Sequence, residues 1–588
     1  MDYFRFRGIG VSPGISIGEA FLTQRIVFSS RKEAINPDQV KEEILRLKNA
    51  FQRTKAQLTQ IKNKVRENVG QEHSFIFDAH LLILGDKSLY PKLAAIVKEE
   101  LVRAEWALSR VHEQYILQFE SIADEYFRQR KFDVTDVLSR IYKNLEPLEH
   151  KKRQDDKDRI LVGHELLPSE AALLLSQGNV LAVALDMGGQ TSHTAILARS
   201  LNIPAVMGLR NITQDVKNGD VLIVDGTDGE VIVNPPLAIQ KEFISKKKRY
   251  DDYRCELKKT ARLKSLTLDG KVFSPMANIE LPEEVKPALA LGAEGVGLFR
   301  SEFIYLQSTT LPTEEDHYRI YEQIAKDAHP SHVYIRTMDI GGEKSLPQLK
   351  IEKEPNPALG LRAIRVSLRD KELIKIQLRA ILRASTLKNV HILIPMITEY
   401  EEIKEVKLIF EEVKEEMRKA GEEFDENIPL GIMIEVPAAA TLTDILVKEV
   451  DYLSIGTNDL IQYYLAVDRS NELVSYLFKP LHPSVLRIIK FIIDTAQKEG
   501  KEVTVCGEMA ADPLSALVLL GFGLKKFSMN PIFIPRIKRV LRSVEYKTIK
   551  KIVQKAMYIK TAQEIEEYLL ENVLFKYPKA FLTGDFYE

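Results

Sequence analysis

The 588-residue sequence predicts a multidomain α/β protein, in which a helical bundle interrupts an N-terminal α/β domain and a (β/α)8 TIM barrel follows. Three observations favour this fold class. The chain is longer than one hydrophobic core normally holds. Its N-terminal part carries long helical repeats of apolar residues. Its C-terminal half contains eight short apolar runs with helical stretches between them, which is typical of a barrel of alternating strands and helices.

The helical bundle is predicted between residues 25 and 148. Its first helix has apolar residues at alternating steps of four and three, as in a coiled coil, at Val40, Ile44, Leu47, Phe51, Thr54, Leu58, Ile61 and Val65. Further helices are predicted at Ser74–Leu84, Ser88–Ile122 and Phe132–Leu148, which makes a four-helix insertion. Periodicity alone leaves two roles open for it, a plain structural bundle or a docking surface for a partner.

The α/β domain is predicted from residues 1–24 and 149–236, on either side of the insertion. A charged stretch at 149–159 marks the return of the chain. Strands are predicted at Ile160–Val162, Asn179–Leu185, Val221–Val224 and Val231–Val233, with helices at Ser169–Leu175 and directly after His193. Residues 237–263 lack Pro and Gly and are dense in charge, so they predict a solvated linker helix.

The barrel is predicted over residues 264–588. Its eight strands are expected at Val272–Ala277, Gly295–Phe299, Val333–Met338, Val390–Pro395, Leu430–Glu435, Tyr452–Ile455, Glu502–Cys506 and Lys526–Met529, with seven helices between them and a helical tail. Active sites of such barrels form at the C-terminal ends of the strands. The residues at those ends therefore indicate the chemistry.

One histidine stands out in the α/β domain. Gly188 and Gly189 break an apolar strand, and a helix begins close to His193, with Thr191 or Ser192 as a candidate cap. The free N–H groups and dipole of a helix start favour an anion, so an imidazole there could carry a phosphoryl group. Arg199, one turn further along, supports this interpretation over that of a structural histidine.

Charged and polar residues also gather at the predicted strand ends and in neighbouring loops. They are Arg300, Arg336, Arg362, Arg469, Glu435, Asn458, Asp459 and Cys506. Four arginines suit a small substrate carrying phosphate and carboxylate, because guanidinium pairs with both groups in a two-pronged geometry. Two carboxylates can converge on a hard cation such as Mg2+. Cys506 could be an acid, a nucleophile or a buried apolar residue.

Composition narrows the classes of partner. A formal net charge of -1 gives no sign of a nucleic-acid partner, and no run of about 18 apolar residues predicts membrane insertion. Cys255 and Cys506 lie in different predicted domains, so a disulfide is not expected. With no secretory leader at the start, a cytoplasmic location is predicted.

Several long motifs, in order along nearly the whole chain, carry a family resemblance. They are GIGVSPGISIGEAF, GGQTSHTAILAR, GLFRSEF, RTMDIGGEK, NPALGLRAIR, IMIEVPAA, SIGTNDLIQY, VDR and VCGEMAADP. The sequence resembles the enzyme I family of the phosphoenolpyruvate-dependent sugar phosphotransferase system. The resemblance implies a swivelling phosphohistidine domain, an HPr-binding helical domain, and a phosphoenolpyruvate-binding barrel that forms a homodimer. It also implies that phosphoenolpyruvate phosphorylates His193, which passes the phosphoryl group to a histidine of the phosphocarrier protein HPr.

The same resemblance assigns roles to the barrel residues. Arg300, Arg336 and Arg469 would hold the phosphate, Arg362, Asn458 and Lys344 would belong to the substrate site, Glu435 and Asp459 would bind Mg2+, and Cys506 would protonate the enolate to give pyruvate. The stretch containing His80 and Leu82 matches the HPr-docking surface. One departure is Ala171, where many relatives have a threonine whose hydroxyl orients the active histidine.

Other functions are weighed against this one. Phosphoenolpyruvate synthase and pyruvate phosphate dikinase share the histidine motif and the barrel, but they need a large ATP-binding domain for which the N-terminal region has neither room nor a P-loop. A nitrogen-branch paralogue would carry an extra N-terminal sensory domain. A scaffold that has lost catalysis would not need the histidine, arginines, carboxylates and cysteine together.

Overall fold

A computed structural model gives the fold. It describes residues 3–23, 28, 31–68, 71–120, 125–145, 158–175, 178–189, 192–306, 310–341, 349, 354–469, 471 and 473–577. This part of the chain forms two compact units, one up to Asp252 and one from Tyr253 onwards.

The first unit contains an eight-stranded sheet. Its strands are β1 (Phe4–Arg7), β2 (Ile9–Ser12), β3 (Ile15–Leu22), β4 (Arg159–Gly163), β5 (Val180–Leu185), β6 (Ala205–Met207), β7 (Val221–Asp225) and β8 (Glu230–Val233). They lie in the order β1-β8-β7-β3-β4-β5-β6-β2. Residues before the insertion supply three strands, and β3 pairs in parallel with β4 across the insertion, with Ala20 opposite Ile160. The prediction identified β4, β5, β7 and β8. It assigned residues 1–24 to the domain without naming strands there, and it missed β6, which is only three residues long.

Helices cover this sheet, and the residue types explain their bounds. They are α6 (Pro168–Leu175), α7 (His193–Ser200) and α8 (Ile212–Asp215). Pro168 suits the first position of α6 because a proline there loses no hydrogen bond. Buried Ala195, Leu197 and Ala198 pack α7 on the core.

The insertion forms a helical bundle. Its helices are α1 (Val40–Asn68), α2 (Gln71–Leu84), α3 (Leu89–Glu100), α4 (Ala104–Glu120) and α5 (Glu125–Leu145). The predicted seam on α1 is buried at Leu47, Leu58, Ile61 and Val65. Thr54 on the same seam is tolerated because its Oγ1 donates to Ala50 O at 2.8 Å.

The prediction of four helices was wrong, because the described residues of the insertion contain five. The predicted helix Ser88–Ile122 is broken between α3 and α4. Leu101 adopts a left-handed conformation with φ of 51°, which ends α3, and Val102 forms a β-bridge with Ala34 instead of continuing the helix. An uninterrupted apolar pattern does not reveal such a break.

The predicted linker helix is α9 (Leu237–Ala261), close to its expected bounds. The chain passes from the first unit to the second within this helix.

The second unit is a closed barrel of eight parallel strands. They are β9 (Ser274–Ile279), β10 (Val296–Arg300), β11 (Val333–Arg336), β12 (Val390–Ile394), β13 (Leu430–Ile434), β14 (Tyr452–Ile455), β15 (Glu502–Val505) and β16 (Lys526–Met529). They pair in chain order, and β16 closes on β9 with Phe527 opposite Pro275. The predicted barrel is confirmed, with each strand within about two residues of its expected position.

The surrounding helices are more divided than the predicted seven. They are α10 (Val285–Ala290), α11 (Glu302–Leu306), α12 (Glu314–Ala328), α13 (Ile364–Arg369), α14 (Lys371–Arg383), α15 (Tyr400–Ala420), α16 (Pro437–Thr441), α17 (Thr443–Leu446), α18 (Thr457–Leu465), α19 (Pro483–Lys498), α20 (Pro513–Gly521), α21 (Ile534–Arg542), α22 (Tyr546–Ala556) and α23 (Ala562–Lys576). Single non-helical residues cause some of the breaks, as at Asp370 between α13 and α14.

None of the helices in the described ranges combines the length and the apolar character that crossing a membrane requires.

Candidate active site at the barrel rim

The ends of the barrel strands bring the predicted site residues to one cavity of about 190 Å3. Arg300 and Arg336 are the last residues of β10 and β11, and Glu435 and Cys506 directly follow β13 and β15. The other predicted residues that line it lie on α18 or in loops, and they are Arg362, Asn458, Asp459 and Arg469. Lys344, also predicted at this site, lies outside the described residues.

Carboxylates hold two of the four arginines, Arg336, which is buried, and Arg362, whose side chain is 15 % exposed. Arg336 forms ion pairs with Glu302 and with Asp339, whose Oδ2 lies 3.1 Å from Arg336 Nη1. Arg362 Nε donates to the other oxygen of Asp339 at 2.9 Å. Burial alone would lower the pKa of both guanidiniums, but the adjacent carboxylates raise it overall. Both arginines therefore remain charged and have fixed orientations.

Arg362 is further oriented by two groups from α18. Its Nη2 donates to Asp459 Oδ2 at 2.8 Å, and its Nη1 donates to the hydroxyl of Tyr463 at 3.0 Å. The Tyr463 hydroxyl in turn donates to Ala358 O at 2.6 Å. This chain of contacts fixes the guanidinium plane before any ligand arrives.

The other two arginines are more exposed. Arg300 Nη1 lies 2.7 Å from Glu280 Oε1, and Arg469 Nη1 lies 3.3 Å from Glu508 Oε1. Glu508 also accepts from Asn458 Nδ2 at 3.1 Å, which ties the predicted amide to the same loop. Exposed pairs of this kind are weak, so these arginines can turn towards an anion at little cost.

Glu435 is the most perturbed carboxylate of the cavity. It is 2 % exposed, and its Oε1 accepts from the backbone N–H of Met396 at 2.7 Å. Burial raises its pKa to about 8, helped by the negative charges of Asp459 and Asp339. A cation at this position would offset both effects, because it favours the ionised carboxylate.

The cavity carries more negative charge than the sequence indicated, which was an anion site with two carboxylates for a metal. Its lining includes four arginines but also four carboxylates. Sequence reasoning missed two of these, Asp339 and Asp468. Both were visible beside predicted arginines, in the motifs RTMD and VDR, and acidic neighbours of arginines are the signal that could have identified them.

The residues present fit a magnesium ion. Glu435 and Asp459 offer the hard oxygen ligands that Mg2+ prefers, and Mg2+ often takes only one or two protein carboxylates. In the described part of the chain no cluster of three or more His, Cys, Asp or Glu side chains forms a complete metal cage. A metal here would therefore need other oxygen ligands as well.

Cys506 lies in the interior of the barrel mouth. It is 5 % exposed, its Sγ lies 3.3 Å from Ser454 Oγ, which donates to it, and its backbone O accepts from Asn278 Nδ2 at 2.9 Å. Burial raises the pKa of the thiol to about 11, with the Glu435 carboxylate adding to the shift. The group is therefore a protonated thiol near neutral pH, which suits a proton donor better than a thiolate nucleophile.

The first unit carries the predicted histidine at a helix start. His193 is the first residue of α7, and Ser192 caps the helix by accepting from the Ala195 N–H at 3.3 Å. Gly188 has φ of +110°, and a side chain there would approach Met207 Sδ. Of the two candidate caps, Ser192 is confirmed, while Thr191 lies outside the described residues.

Two expectations about this unit need correction. Arg199 lies in the last turn of α7, away from the helix start, and its Nη1 donates to Val11 O at 3.2 Å. His80 is fully buried, with its Nε2 3.3 Å from Asp133 Oδ1, so it offers no docking surface. Leu82 is 77 % exposed, as a docking surface requires.

Ala171, where many relatives of the resembled family have a threonine, lies on α6 and is fully buried.

Comparison with known proteins agrees with this architecture. Three family models match the chain, the N-terminal domain of phosphoenolpyruvate-utilising enzymes over residues 7–130, their mobile domain over 155–229 and their phosphoenolpyruvate-binding domain over 254–546.

Curated relatives match the chain almost from end to end. A phosphoenolpyruvate-protein phosphotransferase of Haemophilus influenzae is 41% identical over 574 residues, which cover 96% of this chain and 99% of the relative. Proteins of that name from Geobacillus stearothermophilus and Latilactobacillus sakei are 40% and 39% identical, and each alignment covers at least 96% of this chain and 97% of the relative. The chain therefore belongs to the family of phosphoenolpyruvate-protein phosphotransferases.

Proposed function

We propose that the protein transfers the phosphoryl group of phosphoenolpyruvate to His193 and then to a histidine of HPr, releasing pyruvate as the first step of sugar uptake by the phosphotransferase system. The observation that carries the proposal is the rim cavity, where four arginines, two carboxylates suited to a metal and a protonated thiol converge. Each of these groups has a role in cleaving an enol phosphate.

In the proposed substrate site, the two arginines held by carboxylates and the two more exposed arginines have different roles. Arg336 and Arg362 are held in place by carboxylates and offer fixed positive groups to the cavity. Arg300 and Arg469 lie at its exposed edge and close on the phosphate from outside. Asn458 and Lys344 complete the substrate site. Phosphoryl transfer depends mainly on such positioning and charge neutralisation.

Magnesium completes the charge balance. Four arginines facing four carboxylates leave little net attraction for a trianion, so a divalent cation on Glu435 and Asp459 is expected to accompany the substrate. When bound, Mg2+ would withdraw charge from the phosphate and carboxylate oxygens of the substrate.

The reaction then follows from the residues. A ring nitrogen of His193 attacks phosphorus, a P–N bond forms, and the bond from phosphorus to the enol oxygen breaks. The electron pair of that bond leaves with the enolate of pyruvate. The Cys506 thiol gives its proton to the methylene carbon of the enolate, which becomes the methyl group of pyruvate, and the thiolate later regains a proton from water. A second transfer carries the phosphoryl group from His193 to HPr.

The proposal also assigns the domains. Residues 1–24 and 149–236 form the phosphohistidine domain, 25–148 the HPr-binding domain with Leu82 on its docking face, 237–263 the linker helix, and 264–588 the phosphoenolpyruvate-binding and dimerisation domain. The exposed Leu82 supports the docking role. A cytoplasmic homodimer that interacts with neither nucleic acid nor membrane is consistent with the charge and composition of the chain.

The direct test is incorporation of labelled phosphate. The full-length protein is incubated with Mg2+ and radiolabelled phosphoenolpyruvate, or with labelled ATP, before HPr is added. We expect acid-labile protein phosphate from phosphoenolpyruvate only, and its transfer to HPr. His193→Ala should abolish labelling, whereas His164→Ala, which removes another histidine of the same domain, should retain it. Labelling of His193→Ala from phosphoenolpyruvate would disprove the assignment.

A further inference from the structure

A second cavity of the barrel unit lies between three of its outer helices and shares no residue with the rim cavity. Its volume is about 820 Å3. Residues from α19, α22, α23 and the turn after α22 line it, and the cations among them are Arg487, Lys490, Lys551, Lys555 and Lys576. We call it the outer basic cavity.

The lining of the outer basic cavity contains five cations and no carboxylate. All three helices contribute, since two cations come from α19, two from α22 and one from α23. Of the five, Lys490 alone has an ion-pair partner among the described residues, which is Asp494 in the next turn of α19. The chain has nearly equal numbers of acidic and basic residues, so its surface is expected to carry both signs of charge. A cavity whose charged lining is entirely positive departs from that expectation.

The arrangement is unfavourable for the free protein. Lys551 and Lys555 lie one turn apart on the same face of α22, a like-charge spacing that destabilises a helix. The whole of α22 contains four lysines and no acidic residue. A bound anion would relieve this repulsion, because every lining cation could then face a negative charge.

The cavity also has an apolar part. Met557, Ile552 and the rings of Tyr558 and Tyr568 lie among the cations, and the Tyr558 residue is 87 % exposed. Pockets for small molecules typically have volumes of about 300–1,000 Å3 and combine apolar walls with a few charged groups. The chain as a whole has a net charge of -1, so nothing beyond the cavity favours a long anionic polymer.

We propose that the outer basic cavity is a binding site for a small polyanion of the phosphate-ester class, whose apolar or aromatic part packs against Tyr558 and Tyr568. The site is independent of the rim cavity and of the reaction proposed there. Its ligand would be held by lysines and one arginine from three helices, so binding should link α19, α22 and α23.

The test follows two methionine methyl groups in one titration. In the full-length protein labelled at methionine methyl carbons, Met557 reports on the outer basic cavity and Met433 on the rim cavity, since each lines one of them. Replacement of each methionine by leucine assigns its signal. Inorganic tripolyphosphate serves as the first probe and ATP as the second, both without Mg2+. The Met557 signal should shift saturably with both.

Matched variants on one helix supply the control. The double variant Lys551→Gln, Lys555→Gln removes two lining charges. It should lower the affinity for the polyanion, measured from the shift of the Met557 signal, at least tenfold. The double variant Lys547→Gln, Lys550→Gln removes two charges of the same helix that do not line the cavity. It should keep that affinity within twofold of the parent protein. An unchanged Met433 signal in each unliganded variant shows that the barrel is intact.

Three results would overturn the proposal. The first is a shift of Met433 alone, which would place polyanion binding only at the rim. The second is equal weakening in both pairs of variants, which would indicate nonspecific attraction to a basic helix. The third is a response to tripolyphosphate but none to ATP, which would exclude a phosphate ester as the ligand.

Discussion

Arg362 Nη2 lies 2.8 Å from Asp459 Oδ2, and this ion pair joins the loop after β11 to the first turn of α18. The carboxylate proposed to bind the metal is thus also the partner of an arginine proposed to bind the substrate. The guanidinium and the carboxylate therefore interact electrostatically. A ligand that binds Arg362 weakens the pairing of this arginine with Asp459 and so changes how strongly Asp459 attracts a cation. Substrate and metal binding are expected to be coupled for this reason.

The first prediction concerns Asp339, which forms ion pairs with both Arg336 and Arg362. Asp339→Asn should reduce kcat/KM for phosphoenolpyruvate by about 10- to 100-fold, because a hydrogen bond to a charged group contributes about 1.5–3 kcal/mol. The effect should fall mainly on KM, since Asp339 orients arginines that are proposed to bind the substrate in its ground state. Steady-state kinetics of pyruvate release measures it. Asp444→Asn changes an exposed carboxylate on α17 and should have no effect. Equal kinetics of the two variants would show that Asp339 does not position the arginines.

The second prediction concerns the metal. Added Mg2+ should raise the Tm of the parent protein, because a ligand that binds only the folded state stabilises it by about 2.7 kcal/mol at 100 times its Kd. Glu435→Gln should remove most of this increase, since the change deletes the charge of a ligand and nearly preserves its shape. Glu502→Gln, at the opposite end of the barrel on the first residue of β15, should keep it. Calorimetric scans with and without Mg2+ would decide, and an equal increase for all three proteins would argue against Glu435 as a ligand.

A third prediction follows from the buried thiol. Iodoacetamide at pH 8 should modify Cys255, which is exposed, and leave Cys506 unmodified, since the thiol of Cys506 is buried and its pKa is about 11. Mass spectrometry of the folded protein identifies the modified peptide, and the unfolded protein serves as the control in which both react. Rapid modification of Cys506 in the folded protein would contradict the protonated state required of a proton donor.

The role of Cys506 can be tested separately. Cys506→Ser should slow pyruvate formation more than it weakens phosphoenolpyruvate binding, because a hydroxyl is a far weaker acid than a thiol. Quenched-flow measurement separates the phosphorylation of His193 from the appearance of pyruvate. Parent-like rates for both steps would mean that water or another side chain donates the proton.

The fifth prediction is a pH dependence of stability. His317 is fully buried, stacks on Tyr321, and has a pKa lowered to about 4 by burial. Below its unfolded pKa of about 6.5 the unfolded chain binds a proton that the folded chain does not, so stability present above pH 6.5 is lost as the pH falls. Lowering the pH from 7.5 to 5.0 should therefore lower the free energy of unfolding by roughly 2 kcal/mol through His317 alone.

Two variants isolate that contribution. His317→Phe and Tyr321→Phe both remove the hydrogen bond of 3.0 Å between Tyr321 Oη and His317 Nδ1. Only His317→Phe removes the titrating ring. Between pH 7.5 and pH 5.0 the Tm of His317→Phe should therefore fall by less than the Tm of Tyr321→Phe. The same loss in both variants would exclude His317 as a source of acid sensitivity.

The sequence by itself determined the barrel strands of this protein and the edge at which its site lies. Strand and helix periods are local properties, so short apolar runs fixed eight barrel strands to within about two residues. Because the C-terminal ends of all these strands meet at one edge, residues such as Arg336, Glu435 and Cys506 could be assigned to one cavity before any contact was known.

Only the tertiary structure decided which groups these residues contact. Asp339 holds Arg336 and Arg362, His80 is buried where a surface residue was expected, and five cations line a cavity between α19, α22 and α23. The physical reason is that the partner and the burial of a charge depend on packing between segments far apart in the chain. Periodicity within one segment carries no information about that packing, whereas it does carry the type and the approximate ends of the segment itself.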